Sequence, residues 1–226
     1  MLGSYNERME AGQTREDLMR IRNTLPDELD QVMEIYARAR VFMAAHGNER
    51  QWGPTNWPPR ELIAQDIAAH KSYVCQTDDD KIAAVFFYDY GERIDPCYDV
   101  IHDGAWLDDG PYGVVHRIAS AGNVRGAGTT CLEWALSQCG HVRIDTHGNN
   151  YVFQNLLRKL GFSQRGIILC GRGRRPALGV REARDAWVRR RRGAGHGERP
   201  ARLPLPAPAN RSRRNTNPSP VPKWNT

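Results

Sequence analysis

The chain has 226 residues, 40% of them hydrophobic and 26% charged, and carries a net charge of +6. That length suits one ordinary domain with extensions. No run of about 18 apolar residues offers a membrane span, and the polar first twenty residues lack the apolar stretch of a secretory signal. Five scattered cysteines without a CxxC pair read as reduced thiols in a cytoplasmic protein rather than as a disulfide framework.

The net charge averages two unlike parts. Residues 171–226 hold fifteen basic and three acidic residues and eight of the fourteen prolines; residues 1–170 hold seventeen basic and twenty-three acidic residues. The composition therefore divides the chain into a flexible extension over 1–18, a mildly acidic folded domain over 19–170, and an Arg/Pro-rich tail over 171–226 expected to be disordered.

In chain order, a short strand is expected at 19–23. A helix then opens at Pro26, with Thr24 as its N-cap, and keeps Leu29, Val32, Met33, Ile35, Tyr36 and Ala39 at helical spacing to Ala45. A loop with Trp52 and Trp57 leads to a second helix over 59–70. Strands at 72–76 and 81–90 form a hairpin across Asp78-Asp79-Asp80. The 20-odd residues from 91 to 111 make a long loop, a length that in a compact domain points to function. A strand at 112–120, a helix at 126–138, a strand at 142–146 and a helix at 150–160 follow. Two short strands at 162–164 and 166–170, turning near Arg165-Gly166, end the domain. Strict alternation puts Val114, His116 and Ile118 on one face of their strand. The alternating second half calls for parallel strands and right-handed crossovers.

The loop at 121–130 carries the chemistry. Gly126 and Gly128 precede a helix whose first N–H groups have no internal partner. The helix dipole favours negative charge there, so a pyrophosphate is a natural ligand. Arg125 adds a cation at the rim. An ordinary strand–loop–helix connection reads the same way on spacing alone. No GxGxxG and no Walker A sequence is present.

The segment resembles motif A of the GNAT acetyltransferase family, read here as Arg125-x-x-Gly128-x-Thr130, with Thr130 where Gly or Ala is usual. Tyr112 to Ala119 resembles the strand before that motif. Val142-Arg143-Ile144-Asp145-Thr146-His147, Asn150, and Leu156-Leu157-Arg158-Lys159-Leu160-Gly161-Phe162 resemble motif B. The resemblance spans 19–170. It implies an α/β fold: a mixed, mostly antiparallel central sheet with a splayed parallel strand pair and flanking helices. It further implies acetyl-coenzyme A as co-substrate, with Arg125, Gly126, Ala127, Gly128, Thr129 and Thr130 around the pyrophosphate. Ile118 and Ser120 would line the pantetheine gap, and Asn150 would contact the cofactor from the next helix. Asn150 is equally a good N-cap for that helix.

The activity implied is N-acetylation of a primary amine on a small molecule or peptide, by a monomer or homodimer, with no metal. Acyl transfer needs a base for the amine and an acid for the departing thiolate. The family's usual acid, seven residues after the motif B Asn, is replaced by Leu157. His116 is the candidate base; an inert core or edge histidine is its alternative. Arg143, Asp145 and His147 alternate on one strand face as a charged surface, an orienting His–Asp pair, or part of a metal site. Trp52, Trp57, Tyr98, Trp106 and Tyr112 are candidate walls for the acceptor, and the acidic loop suits a cationic amine. Alternatives are a coenzyme A-binding module without turnover, or a nucleic-acid-associated protein acting through its basic tail, although that tail lacks interleaved aromatics. The abrupt change after residue 170, with no strand pattern over 171–179, suggests a replaced C-terminus and a domain missing an edge strand.

Overall fold

A computed structural model describes residues 19–169 and 178–184; the expectations for 1–18 and for most of 171–226 lie outside these. The strands are β1 (Met19–Asn23), β2 (Ser72–Thr77), β3 (Ile82–Gly91), β4 (Tyr112–Ser120), β5 (His141–His147), β6 (Ser163–Ile168) and β7 (Leu178–Arg184). The helices are α1 (Leu29–Ala45), α2 (Glu49–Trp52), α3 (Arg60–Ala68), α4 (Ala127–Cys139) and α5 (Tyr151–Lys159). The sheet runs β1-β2-β3-β4-β5-β7-β6. Every pairing is antiparallel except β4 with β5. This is the mixed sheet with one parallel pair expected from the sequence.

Each face of the sheet carries its own core. On one, α4 and α5 bury Leu132, Ala135, Leu136, Leu157 and Leu160 against Phe86, Tyr88, Val115, Val142 and Ile144. On the other, α1 and α3 bury Val32, Ile35, Tyr36, Ile63 and Ile67 against Val74 and Val85, joined by Trp52 and Trp57 from the connection between them. The apolar spacing that predicts these helices is the spacing that packs them.

Several expectations are corrected. Thr24 does not cap α1: it is buried and its hydroxyl bonds Ser72 Oγ at 2.8 Å. A single 3₁₀ turn precedes α1 instead, and the Glu28 carboxylate reaches back to accept from Leu25 N at 2.8 Å. The two terminal strands are one, β6, irregular between Gln164 and Gly166. Gly166 passes under the loop, where an added Cβ would lie 2.5 Å from the His102 carbonyl oxygen. The sheet also continues past residue 170, because β7 inserts between β5 and β6 with seven residue pairs to β5. Two open strand edges supply backbone partners there, and tertiary pairing overrides weak local propensity. Finally, Cys75, Cys131 and Cys139 are free thiols but Cys97 is disulfide-bonded, which corrects the expectation of reduced cysteines throughout. No helix among the described residues is long and apolar enough to cross a membrane.

Candidate active site

The site starts where β4 and β5 part. Their parallel ladder contains two residue pairs, Gly113 with Val142 and Val114 with Arg143, and then ends. Immediately beyond, β4 bulges. Phe87 pairs with His116 and Val85 with Ala119, so two residues of β4, Arg117 and Ile118, oppose Phe86 alone. Arg117 takes a left-handed φ of +51°, uncommon for a non-glycine residue. The bulge breaks the expected alternation: Ile118 packs into the α4-side core, whereas Val114 packs on the opposite face.

After Ser120 the chain enters the candidate phosphate loop. Ser120 Oγ accepts from Gly122 N at 3.1 Å, and Asn123 Nδ2 donates to Ile82 O at 3.2 Å, so the loop is tied back to β3. Gly126 sits at the N-cap of α4 with φ +92°, and no side chain among the described residues caps that helix. Its first N–H groups are left for an outside acceptor. Ala127 is buried, Gly128 and Thr129 are half-buried, Arg125 is exposed, and Thr130 closes the first turn, its N–H donating to Gly126 O at 3.0 Å. Gly128 faces α5: an added Cβ would come within 3.2 Å of Leu156 Cδ2. A glycine cap plus an uncapped helix start fits a pyrophosphate.

Asn150 caps α5, its Oδ1 accepting from Phe153 N at 3.2 Å. Its amide nitrogen donates to Gln51 Oε1 at 3.2 Å, and Asn48 Nδ2 donates to the same oxygen at 2.7 Å. The α1–α2 elbow is thus joined to the start of α5. Leu157 is fully buried in the apolar core, so no acid stands at that position.

On the opposite face from α4, His116 lies between two carboxylates. Nε2 is 2.8 Å from Asp95 Oδ2 and Nδ1 is 3.3 Å from Asp145 Oδ1. Tyr98 donates its hydroxyl to Asp145 Oδ1 at 2.8 Å. Burial favours the neutral imidazole, but the hydrogen bonds and charges of Asp145 and Asp95 outweigh it and raise the pKa to about 9. At neutral pH His116 is an imidazolium. Burial also pushes the Asp145 carboxyl up, yet His116 and Tyr98 prevail and hold it below its ordinary value. Beside His116, Arg117 donates to Asp66 Oδ2 at 2.6 Å from over the Phe87 ring.

Asp145 therefore belongs to a structural network whose histidine is His116; His147 instead accepts from Asn149 N. Arg143 is not a surface charge either. It is buried between the Trp106 and Tyr112 rings, 4.4 and 4.1 Å from their centroids, and donates to Asp108 O. Tyr98, Tyr112, Trp52 and Trp57 are all buried, so these rings fill cores and do not line an open acceptor wall. The long loop is pinned to β4, β5 and β6 through Asp95, Tyr98 and the His102–Ile167 bridge. The sequence offered Tyr98 as an acceptor wall and Asp95 within an acidic loop; what it did not show is that they bond Asp145 and His116, or that Arg117 pairs with Asp66. Among the described residues no group of three or more His, Cys, Asp or Glu side chains is placed to hold a metal ion.

A structure of a GNAT-family acetyltransferase from Streptococcus agalactiae superposes with a TM-score of 0.66 at 29% identity, covering 74% of this chain and 95% of that one. The fold is that of the GNAT acetyltransferases. A second GNAT-family structure, from Listeria monocytogenes, is 15% identical with a TM-score of 0.56, covering 76% of this chain and 98% of that one, and supports the GNAT fold alone. No protein-family model matches the sequence, and no curated protein does. The short β4–β5 ladder agrees with the splayed parallel strand pair expected from the sequence.

Proposed function

We propose that the protein is an acetyltransferase that takes its acetyl group from acetyl-coenzyme A and delivers it to a primary amine. The observation that carries this reading is the union of a strand fork with an uncapped, glycine-led helix at its mouth. The similarity to the Streptococcus agalactiae acetyltransferase supports it. The N–H groups from Gly126 to Thr130, with Arg125 at the rim, would hold the pyrophosphate. Ile118 and Ser120 border the fork that would take the pantetheine arm. Bound acetyl-coenzyme A supplies an activated thioester; the protein's own part is to orient it and to manage protons.

His116 is the candidate proton-handling residue on the acceptor side. Held as an imidazolium, it must first release a proton before it can accept one from an ammonium substrate. The acidic loop that carries Asp95 over β4 suits a cationic acceptor. A second reading is a coenzyme A-binding module without turnover, favoured by the buried Leu157 where an acid is expected.

Calorimetric titration with acetyl-coenzyme A tests the reading. Binding is expected in the wild type and lost in Gly128→Glu, which places a carboxylate beside the pyrophosphate position and crowds Leu156. No heat of binding to the wild type sinks both readings. Thiol release measured over a panel of amines then separates the enzyme from the binding module.

A further inference from the structure

We propose that the buried Asp66–Arg117 pair is a positioning device that holds the β4–β5 fork open, setting the geometry of acetyl transfer without touching either substrate; this rests on the acyltransferase reading above. Were β4 a regular strand, Arg117 would point away from His116, onto the α4 side and into an apolar core of Phe86, Val115, Leu132 and Ile144. A guanidinium there would have to be buried among hydrocarbon. The bulge avoids this by placing two successive residues, His116 and Arg117, on the same side. There α3 supplies Asp66, whose Oδ2 accepts from Arg117 at 2.6 Å, and β3 supplies the Phe87 ring at 4.5 Å.

The two side chains are 6% and 8% exposed, so the pair is interior. Arg117 as a whole is only half-buried, so its solvent-facing part is backbone. That backbone lies where the two-residue β4–β5 ladder has just ended. The pair therefore has a direct geometric consequence. By drawing Arg117 toward α3 it forces the left-handed φ of +51°, bends β4 as a bulge does, and keeps its next residues from zipping onto β5. The gap that receives a thioester is thus fixed from the opposite face of the sheet. A misplacement of about 1 Å at a reacting centre costs about 100-fold in rate, which is the scale of effect expected.

The test is the double variant Arg117→Met/Asp66→Leu, which replaces the pair by apolar groups and leaves no unpaired buried charge. Such replacements are often neutral or stabilising. The double variant is expected to melt at or above the wild-type temperature, to bind acetyl-coenzyme A about tenfold or more weakly because the closing fork narrows the pantetheine gap, and to lose about 100-fold in kcat/KM. Amide exchange over β5 should slow as the fork closes. Stability and rate moving in opposite directions is a result that a merely structural pair would not give. Turnover within about threefold of wild type, with unchanged exchange in β5, overturns the proposal. Arg117→Lys keeps a cation for Asp66 and is expected to stay within about tenfold; a folded Lys variant as slow as the double variant also overturns it. If the wild type proves not to bind acetyl-coenzyme A, the functional reading falls, and the exchange measurement still decides whether the pair holds the fork.

Discussion

His116 on β4 and Asp145 on β5 face one another at 3.3 Å across two strands that share a ladder of only two residue pairs. With Asp95 at the other ring nitrogen, the contact bridges the strands where their backbone pairing has stopped. It also locks the loop that carries Asp95 onto the sheet. The consequence for pH is definite. The folded pKa of His116, about 9, lies above its ordinary 6.5. The stabilisation is complete below 6.5 and is lost as pH rises through 9, and with side chains about one-fifth exposed it amounts to roughly 3 kcal/mol. Melting temperature followed from pH 6 to 10 should fall on the alkaline side, and His116→Gln should flatten that fall.

Activity gives the companion profile. If His116 accepts the amine proton, only its neutral form works, and kcat/KM should rise with pH toward about 9. If the imidazolium form is required instead, kcat/KM should fall over the same interval. A profile indifferent to His116→Gln removes the residue from the chemistry and leaves it as a strut.

Much of this was legible in residue order. Apolar spacing marked α1, and β2 to β5 were expected within a residue or so of where they lie. Gly126 and Gly128 marked the helix start because the pattern of glycine before a helix is local. What was hidden is non-local. The bulge at Arg117 depends on a carboxylate 51 positions earlier, and alternation alone put Ile118 on the wrong face. The fate of Tyr98 and Tyr112 depended on how the loop folds over β4, and composition cannot distinguish a ring lining a pocket from one filling a core. β7 was hidden because its partners, the edges of β5 and β6, exist only once the sheet has formed.

The loop should be sensitive to its tightest approach. An added Cβ at Gly104 would stand 1.7 Å from the Arg165 carbonyl oxygen, a backbone atom that cannot swing aside. Gly104→Ala must displace the loop from β6, at a cost of about 2–4 kcal/mol. Denaturant midpoints would show it, and a shift under 0.5 kcal/mol would mean that this packing is not held in solution.

Tyr98→Phe removes one hydroxyl from the network and leaves Asp145 short of a donor. Because Asp145 is buried and charged, the expected loss is about 1–3 kcal/mol in chemical denaturation at pH 7. The loss should shrink in acid, where the carboxyl is protonated and no longer needs the donor.

Gly126→Ala asks whether the cap of α4 matters for the ligand. At φ +92° an alanine is strained, which costs about 1–3 kcal/mol if the loop keeps its shape. The loop can avoid that strain only by turning the first N–H groups of α4. Acetyl-coenzyme A affinity is therefore expected to fall at least tenfold in calorimetry while the melting temperature moves by a few degrees. An unchanged affinity would take the pyrophosphate away from this helix.

Asn150 does two jobs that substitution can separate. Its oxygen caps α5 through Phe153 N, and its nitrogen holds Gln51. Alanine loses both, at about 1 kcal/mol for the cap. Asp keeps the cap, adds a favourable charge at a helix N-terminus, and gives up the donor to Gln51. Asn150→Asp should therefore melt near the wild type while Asn150→Ala melts lower. If the amide nitrogen also serves the cofactor, acetyl-coenzyme A affinity falls equally in both variants, whatever their stability. If affinity follows the melting temperature, Asn150 acts on the ligand only by keeping α5 in place. The comparison thus decides between two roles that sequence alone leaves level.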